Sequence, residues 1–247
     1  MRVATALAVA LAACAATANA AAPPLREHCV RTADHARVVT FRTSDHVKIV
    51  GVVLGDGRVG VVLGHELHTD LCNWLPFARV LAANGFRVLD IDFRGGGSSA
   101  SAAGAGCWRI DRDMLGAAKY LRSTGSPTIF LAGASMGGTA AVVAGAALRP
   151  APAGVISVSG ASEFSSLDAV SAARKLRAPA LFVAGKDDIG FADDATAMYG
   201  ASASAAKRLL LADSGLHGTG LLQGAGSDGV RAALLEFVKN PSAPPGP

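Results

Sequence analysis

Short apolar runs alternate with longer amphipathic stretches along most of the chain. Residues 38–42 and 47–54 carry alternating or continuous apolar positions and predict two strands, joined by Thr43-Ser44-Asp45. Gly55-Asp56-Gly57 has the composition of a hairpin turn, because Gly and Asp tolerate its left-handed backbone. Residues 59–63 are apolar throughout, the pattern of a strand covered on both faces in a parallel sheet. Residues 74–83 switch to a helical period, with Pro76 in the first turn and Asn84-Gly85 at the stop. Residues 86–93 predict the next strand, followed by the loop Arg94-Gly95-Gly96-Gly97-Ser98-Ser99.

The alternation then repeats. Asp111 and Asp113 open a helix that Gly125 ends, with acids in its first turn where the helix dipole favours them. Strands are expected at 128–132, 155–158, 180–184 and 208–211, and helices at 136–148, 167–176, 192–199 and 230–238. Strands separated by helices of this length require right-handed crossovers. The expected fold class is α/β: a three-layer sandwich with helices on both faces of a mostly parallel sheet. No internal repeat or domain linker interrupts it.

The amino end breaks the pattern. Arg2 precedes residues 3–16, which contain one hydroxyl residue, Thr5, and no charge; Ala18-Asn19-Ala20 follows as a small-x-small site. This predicts a secretory signal peptide over 1–20, removed on export to the periplasm or the extracellular space. The run is shorter than the ~20 residues a spanning helix needs. Leu11-Ala12-Ala13-Cys14 resembles a lipobox, so a lipoprotein anchored through Cys14 is the alternative. Residues 21–240 then form one domain, and the Pro-rich tail 241–247 is expected to be disordered.

Composition narrows the class. The chain has 247 residues, 51% of them hydrophobic, and a formal charge of +4. A disordered chain would be poorer in apolar residues, and a small disulfide scaffold shorter and richer in Cys. The charge is too weak to argue for a nucleic-acid surface. A mean hydropathy of +0.37 has two sources: the leader, and Val/Leu-rich strands covered by Ala-rich helices. Beyond the leader stand Cys29, Cys72 and Cys107, without CxxC spacing. One disulfide is expected in an oxidising compartment, with all three pairings open; the alternative is three small buried apolar side chains.

The chemistry concentrates at Gly133-Ala134-Ser135-Met136-Gly137, which follows a predicted strand and opens a predicted helix. That context is what a nucleophile elbow requires: a sharp turn lifts the Ser hydroxyl clear of the sheet, beside the amides of a helix start. A Ser hydroxyl needs a base, and the base an orienting acid, in the chain order Ser, acid, His. His217 is the one His after Ser135. The acid is expected in Gly185-Lys186-Asp187-Asp188, with Asp188 the choice and Asp187 the alternative; Asp193 and Asp194 suit the first turn of the following helix. His65-Glu66-Leu67-His68 is one residue short of the H-E-x-x-H zinc signature and leaves a strand, so no metal is expected. Gly95-Gly96-Gly97 lacks the dinucleotide spacing, and Asp92 and Arg94 are expected to brace a loop.

The ordered set Ser135, Asp188 and His217, with Leu63-Gly64-His65 after the third strand and Asp92-Phe93-Arg94-Gly95 after the fourth, resembles the α/β-hydrolase superfamily. The resemblance runs from about residue 37 to about 238. It implies a sheet of about eight strands, ester hydrolysis through an acyl-enzyme on Ser135, a small-molecule ester substrate and no cofactor. His65-Glu66 is similar to the dienelactone-hydrolase branch, which differs in using a Cys nucleophile. The expected oxyanion donors are the amide of Met136 and that of Glu66 or Leu67. Glu66 either contacts Ser135 in the resting enzyme or enters a helix near Asp70. Only 160–179 separates the sixth strand from the next, too short for the cap domain of many relatives, so the cleft should be shallow and open. His65, Met136 and Trp74 are candidates to line it, with a core position as the alternative for Trp74. Within the class, lipase, peptidase and thioesterase activities stay open, as does a silent scaffold that binds a ligand. The sequence does not specify an oligomeric state.

Overall fold

The computed structural model describes residues 29–224 and 226–242. The expected signal peptide, the Cys14 site and the tail beyond 242 lie outside the described residues. Strands β1 (Arg37–Arg42) and β2 (Lys48–Leu54) pair antiparallel. Then follow β3 (Val59–Gly64), α1 (Leu75–Ala83), β4 (Arg87–Ile91), α2 (Ile110–Ser123), β5 (Thr128–Ala134), α3 (Met136–Ala147) and β6 (Gly154–Val158). After these come a two-stranded hairpin, β7 (Glu163–Phe164) with β8 (Leu167–Asp168), and α4 (Ala169–Ala173). The chain ends with β9 (Ala180–Gly185), α5 (Phe191–Ala201), β10 (Lys207–Ala212) and α6 (Asp228–Lys239).

The main sheet has eight strands in the order β1-β2-β4-β3-β5-β6-β9-β10, and only β2 runs against the others. Helices α2, α3, α4 and α5 cover one face through Met114, Ala140, Ala173 and Met198. Helices α1 and α6 cover the other through Leu81 and Phe237. This is the three-layer arrangement the alternation predicts. Helix α3 lies against β5 and β6 and is buried on most sides, which is why its sequence is nearly all Ala, Gly and Val. The chain order reverses around β3: β4 lies to one side and β5 to the other. In open parallel sheets such a switch point leaves a crevice at the carboxyl ends of the strands.

Two expectations need correction. Gly55-Asp56-Gly57 is not a hairpin turn, because β2 and β3 do not pair; β4 lies between them. The turn instead lays its backbone against residues 85–87, where a side chain on Gly57 would collide with the Gly85 carbonyl. Residues 167–176 are not one helix: Leu167 and Asp168 pair back onto Phe164 and Glu163, and the Asp168 carboxylate then caps α4 through the amide of Ser171. Cys29 and Cys72 form a disulfide, while Cys107 is a buried free thiol.

Candidate functional site

The elbow is formed as its sequence demands. Ser135 sits between β5 and α3 at φ 51° and ψ −121°, a backbone conformation unfavourable for a residue with a Cβ. The flanking glycines permit it. A side chain on Gly133 would strike the backbone of Gly137, and one on Gly137 would strike the carbonyl of Gly64 at the end of β3. The tight turn therefore also brings the loop after β3 against the elbow.

His217 lies on the loop after β10 and Asp188 on the loop after β9. The Asp188 Oδ2 accepts a hydrogen bond from His217 Nδ1 at 2.9 Å. Asp188 is buried, whereas Asp187 is exposed. Of the two candidate acids, Asp188 is the one that meets His217. Its carboxylate holds the tautomer that leaves Nε2 free to accept a proton. The imidazole is half-buried, with the Phe191 ring 4.2 Å from it between centroids.

The loop that carries His217 is held from two sides. Glu66 Oε1 accepts from the Thr219 amide at 2.6 Å and from its hydroxyl at 2.5 Å. Ser159, at the end of β6 with φ 45°, accepts the Gly218 amide on its Oγ at 3.0 Å. Gly218 itself has φ 55°, and a side chain there would meet the Glu66 carboxylate. Among the described residues Glu66 therefore hydrogen-bonds to Thr219 through Oε1 rather than to Ser135, and it lies outside any helix. The correction has a physical reason, since two donors converging on one partly buried carboxylate offset its desolvation. Ser159 and Thr219 were not singled out in the sequence, where an isolated Ser or Thr carries no signal.

His65 is buried and neutral. Its Nε2 accepts the Phe93 amide at 2.9 Å, so the proton resides on Nδ1, which donates to the Glu66 carbonyl at 2.7 Å. Burial lowers its pKa, in keeping with that assignment. Both ring nitrogens are engaged. The same Glu66 carbonyl accepts from Thr69 Oγ1 at 3.0 Å. A planar trans peptide then directs the Leu67 amide the opposite way. Met136 is the first residue of α3, where helix amides have no intrahelical acceptor.

Trp74 does not line the cleft. It is fully buried and donates from Nε1 to the Gly64 carbonyl at 2.8 Å, anchoring the end of β3 from the far side of the sheet. Trp108 lines it instead, together with Met136, Leu67 and His65. Asp92 and Arg94 brace the loop after β4. Asp92 accepts the amides of Leu71 and Ser98. The Arg94 guanidinium, with no exposed side-chain surface, donates to Asp113, Asp45 and the Gly106 carbonyl.

Comparison with known proteins agrees with this architecture. A family model described as "Serine aminopeptidase, S33" matches residues 56–167, a span that contains Ser135. No curated protein sequence matches the chain. Among solved structures, an esterase from Pyrococcus furiosus superposes with a TM-score of 0.73 at 16% identity, covering 84% of this chain and 92% of that one. An enol-lactonase from Burkholderia xenovorans gives 0.69 at 17% identity, covering 82% and 100%. A dienelactone hydrolase from Anabaena variabilis gives 0.68 at 21% identity, covering 83% and 97%. The chain has the α/β-hydrolase fold.

Proposed function

We propose that the protein is an exported serine hydrolase that cleaves esters of small acyl groups, with Ser135 as nucleophile, His217 as base and Asp188 as the orienting acid. The observation that carries this reading is the Asp188–His217 hydrogen bond of 2.9 Å, formed by two loops that the chain order places after Ser135. His217 Nε2 takes the Ser135 Oγ proton as Oγ bonds to the ester carbonyl carbon. The oxyanion that forms accepts the amides of Met136 and Leu67. The carbon–oxygen bond to the alcohol breaks, and the proton on Nε2 goes to the departing alcohol. Water, deprotonated by the same nitrogen, then bonds to the acyl carbon; the bond to Ser135 Oγ breaks, Oγ takes the proton back from Nε2, and the acid departs.

Fold likeness to an esterase and two lactone-type hydrolases supports ester chemistry. The description of the matched family favours a second reading, peptide-bond cleavage at an amino terminus. Export is supported by the leader pattern and by the Cys29–Cys72 disulfide, which suits an oxidising compartment. No helix among the described residues is long and apolar enough to cross a membrane. A panel of p-nitrophenyl esters and aminoacyl p-nitroanilides separates the two chemistries. Turnover of the esters, lost in Ser135→Ala, is expected; turnover of the anilides alone would favour the peptidase.

A further inference from the structure

A cavity of about 330 Å³ opens beside the elbow, lined by Leu67, Phe93, Ala102, Cys107, Trp108 and Met136. We propose that it receives the acyl chain of an uncharged ester, and that Trp108 sets the length of chain accepted. The inference rests on the serine-hydrolase reading above and names its substrate class.

Three observations carry it. The first is position. Met136, the residue after Ser135, and Leu67, on the loop packed against the elbow, both line the cavity, so the carbonyl of an ester attacked by Ser135 stands at its mouth. The second is direction. The alcohol must leave toward His217, because His217 Nε2 returns the proton to it. His217 and Asp188 follow β10 and β9, on one side of β5 in the sheet. The cavity walls come from the loops after β3 and β4, on the other side, and from the first residue of α3. The acyl part therefore points into the cavity and the alcohol part away from it.

The third is charge. Arg94 is the one permanent cation among the lining residues, and its donors are taken by Asp113, Asp45 and the Gly106 carbonyl. His65 is neutral, with both nitrogens engaged. His68, an exposed side chain, also lines the cavity; a carboxylate on the acyl chain would find no free permanent cation there. Trp108 is the largest side chain lining the cavity. Its indole is braced edge-on by Phe164 of the β7–β8 hairpin, with ring centroids 5.4 Å apart. The short hairpin thus does locally what a larger insertion would do: it fixes one wall of the pocket.

The test is kcat/KM for straight-chain p-nitrophenyl esters from acetyl to dodecanoyl, with a hemisuccinyl ester beside its neutral counterpart. Expected for the wild type is a rise of about fourfold per methylene up to an optimum, then a fall, with the hemisuccinyl ester at least about tenfold poorer. Trp108→Ala should move the optimum to longer chains, with Trp108→Phe and Phe164→Ala shifting it less in the same direction. A flat wild-type profile, an unmoved optimum in folded Trp108 variants, or a preference for the hemisuccinyl ester would overturn the pocket assignment. If folded wild type neither hydrolyses any ester nor reacts with a fluorophosphonate, the serine-hydrolase reading itself falls, and this inference with it.

Discussion

The carboxylate of Glu66 accepts both the amide and the hydroxyl of Thr219, tying the loop after β3 to the loop that carries His217. One side chain thereby sets the spacing between the loop after β3 and His217, the proposed general base. The two loops are 153 residues apart in the chain, so nothing local enforces that spacing.

Glu66→Ala should leave the Thr219 amide without its acceptor and let the His217 loop relax. A partly buried donor left unsatisfied costs about 1–3 kcal/mol. We expect kcat to fall by roughly tenfold or more, with KM little changed. Glu66→Gln keeps an acceptor oxygen and should restore most of the loss. Steady-state kinetics of both variants decide it: wild-type kcat in Glu66→Ala would remove the positioning role.

The two acids of the β9 loop should behave differently. Asp188→Asn replaces the acceptor of His217 Nδ1 with an amide that can enforce the wrong tautomer, a change worth roughly 10⁴ in kcat in serine hydrolases of this design. Asp187→Asn alters an exposed side chain and should leave kcat within about twofold of wild type. A larger loss in Asp187→Asn than in Asp188→Asn would reverse the assignment.

Much of this was legible in the sequence because it is local. The Val-rich strands, the helical periods and the strand–Ser–helix context each lie within a short window, and the order Ser135, Asp188, His217 follows from topology. What was not legible depends on distance in the chain. Glu66 and Thr219 meet only when β3 and β10 have taken their places. Trp74 has the period of a core helix residue, and only the contact with the Gly64 carbonyl shows which side of the sheet it serves. Gly55-Asp56-Gly57 has hairpin composition, but the insertion of β4 between its flanking strands is a long-range choice. The β7–β8 hairpin is too short to show a period of two.

Asp90, on β4, is fully buried, and neither carboxylate oxygen has a hydrogen-bond partner among the described residues. Burial raises its pKa well above the usual carboxylate value, and the nearby Asp92 and Asp70 carboxylates add to the effect. The folded state therefore holds a proton that the unfolded state releases near pH ~4. Its contribution to stability is full below that pH. It declines by up to about 1.4 kcal/mol per pH unit as pH rises toward the folded-state pKa. Asp90→Asn cannot titrate, so its stability relative to wild type should improve steadily from pH 5 upward. Urea unfolding of both proteins across that range measures it; parallel stability curves would show that Asp90 keeps an ordinary pKa.

The proposed mechanism requires Ser135 to be an activated nucleophile. Intact-mass analysis and peptide mapping after exposure to a fluorophosphonate test this. Stoichiometric labelling of the folded wild type at Ser135, strongly slowed in His217→Ala and absent in Ser135→Ala, is the predicted result. Folded wild type that stays unlabelled, or that is labelled equally in Ser135→Ala, would contradict it.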